Sequence, residues 1–436
     1  MIPDRNRFRR ILPLIRWVRR VGPVRSLGLT LGVFTLLLLG CFALTERSPW
    51  RREPLPEPPP EIRINRLVRV RLLGRGPQSS VQLAIRSPYR LTLGGFGASP
   101  RHYPTALSTC QVGPGSVSGI QLGDRYYPCD DLLITPEHDA SLVVNHRTYR
   151  GLLRIMREGS GLSLINHVDM ESYLKGVLRG ELPETYHPEA FKAQCVAART
   201  YAFYQIRNNA AGVDFDVYDN EGSQMYIGVL GEQSHKALDA VRQTRGEVCV
   251  WNDHGRDTIF CTYYSATCGG SSQHVNNMKP NDPNVAPLAG QVACQDCYLH
   301  KFYRWGPVSI SKRELTRRIV ARYPSVKNLG TIVRLRPKER TADGRIVRIQ
   351  LDGSTGRNET LVGEDFRLSC GGRVLKSTNF VIETTPDAFH FREGKGYGHG
   401  VGLCQSGMET KARRGMDYRR ILSVYYPTSR IKTLYQ

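Results

Sequence analysis

An uncharged run of 19 residues, Leu27–Thr45, follows a segment carrying eight arginines and one acid, and this pair of features constrains the fold before any other. A stretch that long and apolar spans a bilayer only as a helix, because lipid offers no partners to peptide N–H and C=O groups. The arginines of residues 1–26 stay cytoplasmic under the positive-inside rule, which puts everything after residue 45 outside the cytoplasm. A basic tail for nucleic acid is the competing reading, but such tails do not usually lead into a membrane-length apolar run. Leu38-Leu39-Gly40-Cys41 also fits a lipoprotein cleavage box with an acylated Cys41. The long basic stretch before it favours an uncleaved anchor.

Residues 46–62, containing PWRREPLPEPPPEI, read as a stiff polyproline spacer. Of the formal charge of +22, +7 sits in residues 1–26, which leaves +15 on the rest of the 436-residue chain. That remainder suits an acidic partner such as a wall polymer. No basic module interleaved with aromatics supports nucleic acid. With 40% hydrophobic and 23% charged residues, the body is a packed globule of ordinary composition.

Hydrophobic periodicity divides that body. Residues 63–165 alternate with a period of two, predicting strands at Ile64–Leu73, Val81–Ile85, Tyr89–Leu93, Leu132–Thr135, Leu142–Asn145, Leu152–Met156 and Leu162–Ile165. Residues 166–436 mix helices with strands. Helices are expected at Glu171–Leu178 behind an Asp169 cap, Pro188–Ile206, Lys236–Thr244, Lys312–Arg322, Gln405–Arg414 and Tyr418–Tyr425. Strands are expected at Glu247–Trp251, Thr258–Tyr264, Thr331–Leu335, Ile346–Leu351 and Asn379–Thr384. The class is therefore α+β: an anchor (27–45), a linker (46–62), a mostly β module (63–165) and a mixed α+β body (166–436).

Four strings carry more than periodicity does: VDMESYLKGVLRGELPETYHPEAFKAQCVAARTYAFYQIR (Val168–Arg207), FCTYYSATCGGSSQ (Phe260–Gln273), GKGYGHGVGLCQSGMETKARRG (Gly394–Gly415) and YRRILSVYYPTSRI (Tyr418–Ile431). Together, and in this order, they resemble the sporulation protein D family (SpoIID/LytB), which holds peptidoglycan lytic transglycosylases and an amidase-enhancer branch. The resemblance implies a fold like that of the family over residues 166–436. It also implies cleavage of the β-1,4 bond between N-acetylmuramic acid and N-acetylglucosamine in wall glycan strands by one glutamate, here Glu181. The alternative it implies is a non-catalytic wall-binding enhancer of a cell-wall amidase.

One carboxyl is enough for that chemistry. A glycosidase ordinarily needs two carboxylates, one as acid and one as base or nucleophile. Where the sugar's own C6 hydroxyl attacks the anomeric carbon, giving a 1,6-anhydro product, a single Glu181 serves as acid and then as base. It needs a raised pKa, and Leu182, Pro183 and Tyr186 are the expected apolar walls. Read as residues alone, Glu181 is equally an exposed carboxylate in the loop before a helix. Glu171, Glu184 and Glu189 are neighbours with helix-terminus explanations.

His399 is the second catalytic candidate. It sits in a glycine-rich turn with Gly398 and Gly400, where backbone can approach a sugar closely, or it is a histidine bonded into a tight turn. Lys192, Arg199, Tyr201, Tyr264, Ser265 and Gln405 are candidates for substrate contact, though helix solvation and packing explain several of them as well.

Cys110 and Cys129 form a disulfide in an oxidising compartment or remain free thiols. Cys268 with Cys294-x-x-Cys297 offers three ligands for a structural zinc, with His274, or else His300, as the fourth. The resemblance supports this, because some relatives bind zinc near this loop; disulfides among the three are the alternative. Cys404 stands where the family has a small hydroxyl residue. A Cys404–His399 nucleophile pair lacks any supporting acid in the motifs.

Overall fold

The computed structural model describes residues 67–436 apart from 139 and 211. The expected basic segment, the anchor over Leu27–Thr45, Cys41 and the Pro-rich linker therefore lie outside the described residues. No helix among the described residues is long and apolar enough to cross a membrane.

The structure is mixed α+β, as the periodicity predicts. Val81–Ile85 and Tyr89–Leu93 are strands with the expected bounds, and the burial of Val81–Ile85 alternates as a half-buried sheet requires. Two antiparallel-rich sheets hold most of residues 67–169. A seven-stranded sheet has Leu67–Arg71, Gly161–Asp169, Leu152–Glu158 and Asp131–Pro136 as successive neighbours, and a six-stranded sheet is centred on Val81–Ile85 and Leu107–Pro114. Of the two alternatives for Cys110 and Cys129, the structure has free thiols; Cys129 Sγ approaches the Asp131 carbonyl at 3.4 Å.

Gly161–Asp169 is the pivotal strand. Eight of its nine residues are buried, and it continues past the expected boundary at 165/166 directly into helix α1 (Met170–Glu181). Asp169 ends the strand and caps the helix, accepting from the N–H groups of Glu171 and Ser172. No loop intervenes, so the sheet fixes the direction in which α1 projects.

Helix α2 (Pro188–Asn208) starts on its proline, with His187 Nδ1 accepting from Glu189 N. The sequence predicts one buried face. The helix is in fact buried almost all round from Ala190 to Phe203, because Ala193, Ala197, Ala198 and Ala202 let neighbours approach on every side. Those neighbours are α1, α3 (His235–Gln243), the strand Glu247–Asp253, α7 (Gln405–Arg413) and α8 (Tyr418–Tyr425).

Residues 305–391 build a core of their own. Helices α5 (Lys312–Arg322) and α6 (Gly363–Cys370) pack with two three-stranded sheets around Leu315, Ile319, Ile349, Leu351, Phe366 and Phe389. Helix α6 has no counterpart in the sequence expectation. Gly363 to Cys370 lacks a side-chain N-cap, which leaves Glu364 and Asp365 in the first turn as its start signal. Between the two helical regions lies the short helix α4 (Val275–Met278).

Candidate active site and thiol cluster

Glu181 is the last residue of α1, not part of the following loop. The expected helix stops at Leu178, but the N–H of Leu182 still donates to Leu178 O at 2.9 Å, so the helix runs three residues further. Gly180 makes this end approachable: a Cβ there would stand 2.3 Å from the Met225 carbonyl oxygen. The segment after α2 consequently lies against the helix terminus. Leu182 turns into the core and Pro183 is exposed, so the expected apolar wall is only half realised.

Three donors converge on the partly buried Glu181 carboxyl. The Met225 N–H donates to Oε1 at 2.8 Å, the Tyr264 hydroxyl donates to the same oxygen at 3.1 Å, and Gln405 Nε2 donates to Oε2 at 3.2 Å. Tyr264 lies on the strand Tyr264–Ser265, which pairs in parallel with Leu403–Cys404. That pairing sets Gln405, the first residue of α7, beside it. Gln224 Nε2 donates to the Tyr264 hydroxyl at 3.0 Å and its Oε1 accepts from Tyr173 at 2.9 Å, while Gln405 Nε2 lies 3.4 Å from Gln194 Oε1. Among the described residues no second carboxylate joins this hydrogen-bonded group.

Burial pushes the Glu181 carboxyl above its ordinary value of 4.5, and this outweighs the bonds from Met225, Gln405 and Tyr264, which favour the charged form. The C-terminal end of the helix dipole acts in the same direction as burial. Burial, and after it the charge of Glu181, lift the Tyr264 phenol well above its usual range, so the phenol remains a donor.

His399 lies behind this group. Its Nδ1 accepts from Val401 N at 3.0 Å, its ring stands edge-on to Tyr263 at 5.8 Å, and the Tyr264 carbonyl is within its reach. Burial lowers its pKa to about 4, so the ring is neutral at pH 7, with Nε2 carrying the proton. Ser265 and Gly398 pack together: a Cβ on Gly398 would be 2.7 Å from that of Ser265. The Ser265 hydroxyl is buried without a partner among the described residues.

Other candidates are engaged elsewhere. The Arg199 guanidinium is fully buried and forms a bidentate pair with Glu171, at 3.0 and 2.6 Å, so it is held inside the fold, where it cannot touch a polymer. Lys192 Nζ is bonded to Glu189 at 2.6 Å and covers the Tyr418 ring. Tyr201 is nearly buried, packed edge-on against Tyr263. Gln224, Gln194 and the Met225 N–H belong to the site without having been legible as such. For Gln194 the hint is a glutamine among small and apolar residues in Ala193–Ala198; Gln224 has none.

Cys268, Cys294, Cys297 and Cys404 form one buried cluster, their sulfurs all within 4.8 Å of one another, and this cluster could hold a metal ion. The fourth member is Cys404 and not His274. His274 caps α4, accepting from Asn276 N at 3.0 Å, and its Nε2 pairs with Asn284 at 3.0 Å. His300 is bonded to Thr267 at 2.9 Å. Cys404 arrives through the same parallel pairing that places Gln405, and it caps α7, its sulfur accepting from Gly407 N. Hydrogen bonds from Cys268 hold Cys294 and Cys297 below the usual thiol range.

Comparison with known proteins fits this geometry. The stage II sporulation protein (SpoIID) family matches residues 158–251, which span the pivotal strand, α1 with Glu181, and α2. A domain of unknown function (DUF8618) matches residues 280–402, which contain the separate core. An uncharacterized protein of Brachyspira hyodysenteriae is 32% identical, over 66% of this chain and 74% of its own length. Stage II sporulation protein D of Bacillus subtilis is 25% identical, over 61% of this chain and 75% of its own. The amidase enhancer of Bacillus subtilis is 26% identical over 58% of this chain, a match spanning only 39% of the enhancer. With the ordered strings and the Glu181 geometry, these matches fix the assignment: the chain belongs to the stage II sporulation protein D family.

Proposed function

We propose that this protein is a peptidoglycan lytic transglycosylase that breaks the bond between N-acetylmuramic acid and N-acetylglucosamine, with Glu181 as acid and then base. One observation carries the reading: a single carboxyl whose pKa burial raises, gripped by three donors that keep it in place. Oε1 already accepts two hydrogen bonds, so the transferable proton belongs on Oε2, beside the Gln405 amide. That amide serves both states, its N–H₂ donating to the carboxylate and its carbonyl accepting from the acid.

Glu181 protonates the bridging oxygen as the glycosidic bond breaks, and the N-acetylglucosamine end leaves with that proton. The C6 hydroxyl of the muramic residue then bonds to its own C1, and the carboxylate takes the hydroxyl proton, which restores the acid. Tyr264 and Gln405 position the carboxyl. Ser265, Gly398, His399 and Gly400 are assigned to the sugar chain. Arg199, Lys192 and Tyr201 are assigned to the framework that carries Glu181.

A structural zinc in the four-thiol cluster belongs to the same reading. The Cys268–Cys297 sulfur separation of 3.6 Å is close to the edge of a tetrahedron with Zn–S bonds, about 3.8 Å, and well beyond a disulfide of about 2.05 Å. Four thiolates leave no open position, so the ion would supply rigidity only. Leu27–Thr45 is assigned to the membrane, which places the body outside the cytoplasm against its polymer.

The similarity to an amidase enhancer supports a second reading, a wall-binding protein that stimulates an amidase without cutting glycan. Purified glycan strands, with and without stem peptides, separate the two. Anhydro-muramic ends in the mass spectrum support the transglycosylase, and reducing muramic ends indicate hydrolysis. No cleavage of either substrate, with stimulation of an added amidase, supports the enhancer.

A further inference from the structure

Arg345 is among the largest fully buried side chains, at 1% exposure, and it comes from the segment 305–391 that builds its own core. A buried guanidinium normally has a carboxylate partner, since an uncompensated charge in the interior is costly. Arg345 has no ion pair among the described residues. Of the two acids in its electrostatic field, Glu364 is held by Arg367 at 2.9 and 2.6 Å, and Asp343 forms no ion pair with Arg345. Arg345 instead donates to two main-chain carbonyls: Nη2 to Cys268 O, and Nη1 to Gly398 O at 3.4 Å. The first lies in the thiol loop and the second in the turn that carries His399.

The surroundings are built for this contact. A Cβ on Gly400 would meet the guanidinium carbon at 2.5 Å, so the turn leaves out a side chain where Arg345 enters. The three successive carbonyls of the turn are all engaged: Gly398 O by Arg345, His399 O by Gln273 Nε2 at 2.6 Å, and Gly400 O by Gln273 N at 2.8 Å. The opposite side of Gly398 is held as well, its N–H donating to Lys376 O at 2.7 Å.

We propose that Arg345 is a positioning residue, through which the 305–391 module clamps the glycine-rich turn and the thiol loop into the geometry that the Glu181 site requires. A guanidinium suits this role because its planar fork reaches two carbonyls at once; a lysine ammonium on a single stem does not. The proposal rests on the transglycosylase reading for its catalytic part, and on the main-chain contacts alone for its structural part.

The test uses Arg345→Lys and Arg345→Met in the full chain, scored by release of anhydro ends and by amide hydrogen exchange. The expected result is a fall in kcat of about 10- to 100-fold per folded molecule, with KM unchanged within about twofold. Faster exchange should be confined to residues 267–270 and 397–402. Wild-type kcat per folded molecule in Arg345→Lys, or unchanged exchange in both segments, overturns the proposal. If Arg345→Met does not fold, Arg345→Lys decides. If the wild type cuts no glycan, the transglycosylase reading fails, and the exchange result still decides the clamp.

Discussion

Glu181 is under two opposed influences, burial that favours the acid and three donors that favour the carboxylate, and each makes a measurable prediction. Tyr264→Phe deletes a bond that favours the ionised form, so the Glu181 pKa rises further. Activity that depends on the protonated acid should persist to higher pH, and a pH profile of kcat/KM should show its alkaline limb displaced upward. Linkage runs the same way. A carboxyl with a raised folded-state pKa contributes stability fully present below its ordinary value of 4.5 and lost as pH rises through the folded value. Glu181→Gln should therefore gain stability over wild type on going from acid to neutral pH, as read by denaturant midpoints. Arg199 makes the contrasting case. Arg199→Met leaves Glu171 buried and unpaired and should destabilise by about 3–5 kcal/mol, while KM for glycan stays unchanged in the folded fraction. The sequence singled out Glu181 through its string of neighbours. It could not separate Arg199 from a surface arginine, because the partner that explains it is 28 residues away and meets it only through helix packing.

At the scale of elements, short parallel pairing does more than the long helices. Tyr264↔Leu403 and Ser265↔Cys404 are two register pairs, yet they bring Tyr264 and Gln405 to Glu181 and Cys404 to the thiols. Amphipathic period and caps made α1, α2, α5, α7 and α8 legible within a few residues, with Tyr418–Tyr425 and Lys312–Arg322 matched at both ends. A two-residue pairing across more than a hundred positions has no local signal, and this is why His274 was the expected fourth ligand where Cys404 stands. Cys404→Ser should lower the zinc content per chain in elemental analysis and reduce thermal stability, whereas His274→Ala should retain the metal. The opposite pattern would return the fourth position to His274. Because Gln405 follows Cys404, chelation of the metal should also depress glycan cleavage before the protein unfolds.

Over the whole molecule, the β sheets aim α1, α2 supports it, and the 305–391 module reaches back to the glycine-rich turn through Arg345. The sequence showed the α+β class and the β-to-α transition, but not that residues 305–391 own a separate core, since Leu315, Ile349, Phe366 and Phe389 converge only in three dimensions. The +15 left on the chain after residues 1–26 agrees with work on an acidic polymer, which in the proposed function one carboxyl cuts. The most direct test is digestion of purified glycan strands by wild type and Glu181→Gln, followed by mass analysis of the ends. With Glu181 as the acid, the wild type leaves 1,6-anhydro-muramic ends and the folded variant cuts about 10²–10⁴-fold more slowly. Equal anhydro product from Glu181→Gln would contradict it.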